Sequence, residues 1–108
     1  MILSAFLALA AHAQPVAPVN DKPKQVVVFG VGHYSCERAW ETEFKFSAFS
    51  WVMGYFSGRN VGDQTKVGGT TDGDGVVAEV RKVCDAKPSL TLATATERVF
   101  VSLSRQKR

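Results

Sequence analysis

Cys36 and Cys84 are the residues of this chain with the most chemistry to offer, and they are its only two cysteines in 108 residues. Two thiols can close a disulfide, contribute to a metal site, or supply a nucleophile. A nucleophilic Cys36 would need a base, and His33 lies close by in sequence, but that closeness does not place the imidazole on the sulfur. A histidine-based zinc site would need more ligands than His12 and His33, the only histidines present, and no metal is expected. In an oxidising compartment, two cysteines are most simply one disulfide.

The N-terminal residues point to such a compartment. Residues 2–11 are an uncharged apolar run, and Ala11-His12-Ala13 puts small residues at the two positions read by a signal peptidase. The expectation is a signal peptide over residues 1–13, cleaved before Gln14, and an exported chain. The run is about half the ~20 apolar residues needed to cross a bilayer, so no stable membrane span is expected. A Cys36–Cys84 bridge closes a long loop, worth about 4 kcal/mol by chain entropy alone. For a small domain, whose net stability is usually about 5 to 15 kcal/mol, that is a large share.

Other constellations are weaker. If Gly75 of Asp72-Gly73-Asp74-Gly75 is set at the invariant glycine of a calcium loop, Thr70 stands first and Arg81 stands where the bidentate glutamate belongs. Helix capping accounts for those residues better. Gly30-Val31-Gly32 lacks the third glycine of a dinucleotide fingerprint, which would fall at Ser35. Glu37, Glu41 and Glu43 beside Trp40 could be cast as a glycosidase pair, but spacing on one element does not set the carboxylate separation that chemistry needs. No P-loop, Gly-x-Ser-x-Gly or His-Glu-x-x-His occurs. The expectation is a protein that is not an enzyme and carries no cofactor.

The elements that must position these residues are helical. Residues 14–24 carry three prolines, lack periodicity and read as a flexible arm. Residues 25–31 hold a β-branched run stopped by Gly30 and Gly32, consistent with a short strand or with an extended strip lying on helices. Ser35 can cap a helix over residues 36–59, with a break near Thr42. Phe46, Phe49, Met53 and Phe56 form one stripe on it, with Trp51 in a second beside it, so it is apolar over most of its circumference. Such an element is the central helix of the fold or turns half of itself to a partner chain. Ser47, Ser50, Gly54 and Ser57 make a stripe of small residues where another backbone could approach closely.

Residues 58–70, with four glycines, read as a surface loop. Thr71-Asp72-Gly73-Asp74 has the pattern of a capping box. The helix after it carries Val76, Val77, Val80, Val83 and Cys84 on one face and ends at Pro88. Ser89 can cap a last helix, with Leu92, Ala95, Val99 and Leu103 inward. One helical domain over residues 25–108 is expected. The composition supports a core, with 45% hydrophobic and 21% charged residues. The net charge of +3 is modest, and its basic residues are scattered apart from Arg105, Lys107 and Arg108, so no nucleic-acid footprint is indicated.

Ser35-Cys36-Glu37, the run Trp51-Val52-Met53-Gly54-Tyr55-Phe56-Ser57-Gly58, then Asp74-Gly75 leading to Val83-Cys84-Asp85 and Pro88, resembles small exported proteobacterial proteins of the HdeA-like type. The resemblance spans about residues 32–103. It implies an all-α bundle of four or five helices stapled by one disulfide, Cys36 to Cys84, in the periplasm, with no catalytic residue. It also implies an acid-stress chaperone. In strong acid the ten carboxylates are neutral, so the 13 Lys and Arg and two His set a formal charge of +15 in place of +3. Self-repulsion would then loosen the fold and expose Phe46, Phe49, Trp51, Met53 and Phe56 to unfolded clients, while at neutral pH the stripes would be hidden within a monomer or across a homodimer. A Gly-Tyr followed by Gly also occurs in helical immunity proteins that neutralise type VI amidase toxins. That likeness implies an inhibitor of a periplasmic effector, bound through a loop over residues 59–70 with Arg59 as an anchor. An envelope protein with another interaction role is the third expectation.

Overall fold

The computed structural model describes residues 26–106. The signal peptide expected at residues 1–13, the arm at 14–24 and the last two basic residues lie outside that range. The described chain is all-helical. After an extended stretch and a 3-10 turn at Gly30–His33 come α1 (Cys36–Ala39), α2 (Lys45–Asp63), α3 (Gly73–Ala86) and α4 (Leu92–Arg105). Residues 26–29 pair with no strand among the described residues, so of the two readings the extended strip holds.

Local chemistry explains the helix starts. The Ser35 hydroxyl accepts from the Arg38 amide at 3.2 Å and opens α1. The expected break follows: α1 is a single turn, and Trp40 to Phe44 redirect the chain before α2. Asp72, rather than Thr71, caps α3, accepting from the Gly75 amide at 2.8 Å. Thr91, rather than Ser89, caps α4, accepting from the Thr94 amide at 3.1 Å. In both cases the residue nearer the apolar run takes the cap.

The largest departure from the sequence reading is the end of α2. It continues to Asp63 through Gly58 and Gly62, so the first half of the expected 58–70 loop is helix. It ends at Gln64, the one described non-glycine residue with positive φ, at 57°. Asn60 then ties the next segment down. Its Oδ1 accepts from the Thr65 hydroxyl at 2.7 Å and the Val67 amide at 2.8 Å, and its Nδ2 donates to the Val67 carbonyl at 3.0 Å.

The core lies where the four helices meet. Val52 and Phe56 of α2, Val76 and Val80 of α3, and Leu92, Val99 and Phe100 of α4 are all buried. At its base Cys36 and Cys84 form the expected disulfide, with Cα atoms 5.2 Å apart, joining α1 to α3. The α3–α4 connection braces it, since the Cys36 amide donates to the Leu90 carbonyl at 2.7 Å and the Leu92 amide to the Tyr34 carbonyl at 2.9 Å. The sulfurs are thus held by backbone on both sides and removed from water.

Candidate functional site

The residues expected to meet a partner all sit on α2, but not on one surface. Phe56 is buried in the core at 5% exposure, whereas Phe46 is 80% exposed. Phe49, Trp51 and Met53 are half-buried against the core. The two stripes are therefore largely covered, with Phe46 the exception. It points away from the core, whereas Phe44 and Ala48 on either side of it pack inward.

Trp51 is held from two sides. Its indole Nε1 donates to the Phe29 carbonyl at 3.0 Å, and its ring stacks on Tyr55 with centroids 5.6 Å apart. Gly32 lies against the indole so closely that a Cβ there would come within 2.8 Å of Nε1. Glycine is needed at this position for the strip to reach the helix. Between strip and helices runs a groove of about 960 Å³, walled by Val27, Phe29, Trp51, Tyr55, Thr94 and Glu97.

At one end of that groove is a polar cluster that joins α2 to α4. The Tyr55 hydroxyl donates to Glu97 Oε1. Arg59 Nη1 donates to the same Glu97 oxygen at 2.7 Å and to the Tyr55 hydroxyl at 2.7 Å, and its Nε donates to Asp63 at 3.3 Å. The guanidinium lies 4.2 Å from the centroid of the Phe100 ring, a cation–π contact. Burial, and then the hydrogen bond to Glu97 and its charge, push the Tyr55 phenol up to about 12. Partial burial works against the Arg59 charge, but the hydrogen bond to Tyr55 and the carboxylates of Asp63 and Glu97 raise the guanidinium above its ordinary value.

Arg59 therefore does not lie in a loop. It is carried by α2 and turned onto α4. Neither Tyr55 nor Glu97 is among the residues expected to meet a partner, although Tyr55 falls in the run that carries the family resemblance. Tyr55 and Arg59 stand one helical turn apart, a spacing that could have paired them, but nothing local points to Glu97, 38 residues further on.

Of the described ion pairs, Arg59–Glu97 is the one that links two helices; Arg59–Asp63 and Lys82–Glu79 stay within one. Glu37, Glu41 and Glu43 are exposed around α1 and the turn after it. Among the described residues no three His, Cys, Asp or Glu side chains gather to hold a metal ion, and no helix is long and apolar enough to cross a membrane.

The small stripe also departs from expectation. Ser47, Ser50, Gly54 and Ser57 are exposed, and a Cβ at Gly54 or Gly58 would meet nothing within 4 Å. Among the described residues no other backbone packs onto Gly54 or Gly58. Comparison of the chain with protein-family models, curated proteins and solved structures finds no match in any of the three.

Proposed function

We propose that this is a non-enzymatic envelope protein that hides apolar surface at neutral pH and releases it in acid to hold unfolding proteins. The observation that carries the reading is the Arg59–Glu97 pair, the described ion pair that ties aromatic helix α2 to another helix. It requires an ionised carboxylate. The disulfide joins α1 to α3, so it brackets α2 without touching it. α2 can lift as a flap tethered at both ends while the rest stays connected.

Magnitudes assign the roles. The pair is partly exposed and screened, so by itself it is worth about 0.2–1 kcal/mol. Burying side chains such as Val52 and Phe56 contributes about 1.5–3 kcal/mol each, so losing the pair alone does not open the fold. The rise in formal charge of the exported chain, which has lost His12 with the leader, from +3 to about +14 supplies the drive, and the pair decides which seam parts first. What then emerges is Phe49, Trp51, Met53 and Phe56, beside the already exposed Phe46. The clients are unfolded chains, bound by apolar contact and needing no cofactor.

The test is light scattering from a protein that aggregates in acid and another that aggregates at neutral pH, with and without this protein. Suppression is expected only in acid. Glu97→Gln, which mimics the neutral side chain, is expected to move its onset to a less acidic pH. Absence of suppression at every pH removes the reading, and one tight, stoichiometric partner captured at neutral pH would point to an effector inhibitor instead.

A further inference from the structure

We infer that the groove between the N-terminal strip and helices α2 and α4 binds a small organic cation, with an amine or quaternary ammonium head at Glu97 and an apolar body along the strip. The inference concerns the folded protein at neutral pH and does not depend on the acid reading. At about 960 Å³ the groove has the volume of a small-molecule site, roughly 300–1,000 Å³. Of the five exposed large apolar residues of the described chain, Val26, Val27 and Phe29 line it. Single exposed apolar residues are ordinary, but three gathered on one concave surface mark a place for apolar matter.

The α2 wall carries Trp51 and Tyr55, with Ser50 and Gly54 beside them. The packing of the chain gives no reason for glycine at position 54. Glycine weakens a helix interior, and a Cβ there would meet nothing within 4 Å. The groove supplies the reason, because position 54 lines it and a side chain would project into its space.

Charge selects the ligand. Among the described residues lining the groove, Glu97 is the one that is charged. Arg59 balances it only in part, since one guanidinium is shared between the carboxylates of Glu97 and Asp63. The Tyr55 hydroxyl and Arg59 Nη1 both donate to Oε1 of Glu97, and no described group donates to Oε2. A free carboxylate oxygen beside the rings of Trp51 and Tyr55 suits a cation, which is attracted to the carboxylate and to aromatic faces alike. The first turn of α4 also lines the groove, and a helix start favours an anion. Its Leu92 amide is already bonded to the Tyr34 carbonyl and its Thr94 amide to the Thr91 hydroxyl, so that pull is partial against a full carboxylate charge. The apolar body is needed as well, because a bare cation would leave Val27 and Phe29 uncovered.

Calorimetric titration of the full exported chain at pH 7 with decyltrimethylammonium, kept below its micelle concentration, tests this. A saturable site is expected, about tenfold tighter than for decyl sulfate, which has the same tail and the opposite charge. Tetramethylammonium, the head without the tail, should bind at least tenfold more weakly, on the order of what one or two lost methylenes cost. In the wild type, NMR amide shifts on binding should centre on Val27, Phe29, Gly54 and Thr94. Gly54→Arg, which sets a cation of the chain itself in the groove, should weaken binding at least tenfold at unchanged helix content. Gly58→Arg makes the same charge change one turn away, outside the groove, and should alter binding less than threefold. Glu97→Gln should weaken it about fivefold, the scale of a half-exposed charge pair. No saturable binding up to about 1 mM, decyl sulfate binding as tightly as the cation, shifts centred away from the groove, or a Gly54→Arg protein that binds like the wild type overturns the inference. None of these outcomes bears on acid-dependent client holding.

Discussion

Tyr55 gives the most direct reading of the cluster between α2 and α4. Burial and the neighbouring Glu97 carboxylate both disfavour its phenolate, so its folded value, about 12, stands above the ordinary 10.0. The folded state therefore holds that proton more tightly than the unfolded state does. The stabilisation is fully present below about pH 10 and is lost as the pH rises toward 12. Absorbance titration at 295 nm should show one of the two tyrosines ionising near pH 12, and Tyr55→Phe should remove that step. A Tyr55→Phe protein that keeps the step near pH 12 would mean that the cluster is not formed. Single residues were legible where their partners are local, as with Ser35 capping its own helix. They were not legible where partners come from afar. The apolar type of Trp51 forecast a binding surface, but its indole is covered by Gly32 and bonded to the Phe29 carbonyl, contacts set by the return of the strip onto α2.

At the scale of elements, the helices were legible from apolar period and caps, whereas one boundary was not. Gly58 and Gly62 read as loop residues, yet α2 runs through both, since the Arg59 and Asn60 contacts hold its last turns. Propensity is a weak prior that tertiary contacts override. The cost appears at the C-cap, where Gln64 adopts a left-handed conformation that favours glycine. Gln64→Gly should therefore stabilise the protein by up to about 1 kcal/mol, the scale of left-handed strain for a residue with a Cβ. Urea unfolding checks this, and a lower midpoint would show that the Gln64 side chain contributes more than its backbone strain costs. The caps illustrate the same limit: the Thr-Asp and Ser-Leu-Thr clusters located the starts of α3 and α4, but Asp72 and Thr91 took the roles expected of Thr71 and Ser89.

For the whole molecule, an all-α bundle stapled by Cys36–Cys84 could be read from two cysteines, two amphipathic patterns and one helix apolar over most of its circumference, because those set which faces must be buried together. How α2 is held could not be read, since it depends on a pair of residues 38 apart and on a strip preceding the first helix. The resulting division is physical. Three helices are linked by a disulfide or the short connection beside it, and the aromatic helix is held by packing, by the Trp51 hydrogen bond to the strip and by the contacts of Tyr55 and Arg59 with the Glu97 carboxylate. Hydrogen exchange resolved by residue, followed from pH 7 down to pH 2 with the disulfide intact, tests that division most directly. α2 should lose its protection at a higher pH than α3 and α4, and Glu97→Gln should bring that loss closer to neutrality. If all helices lose protection together, or α4 goes before α2, the flap does not exist.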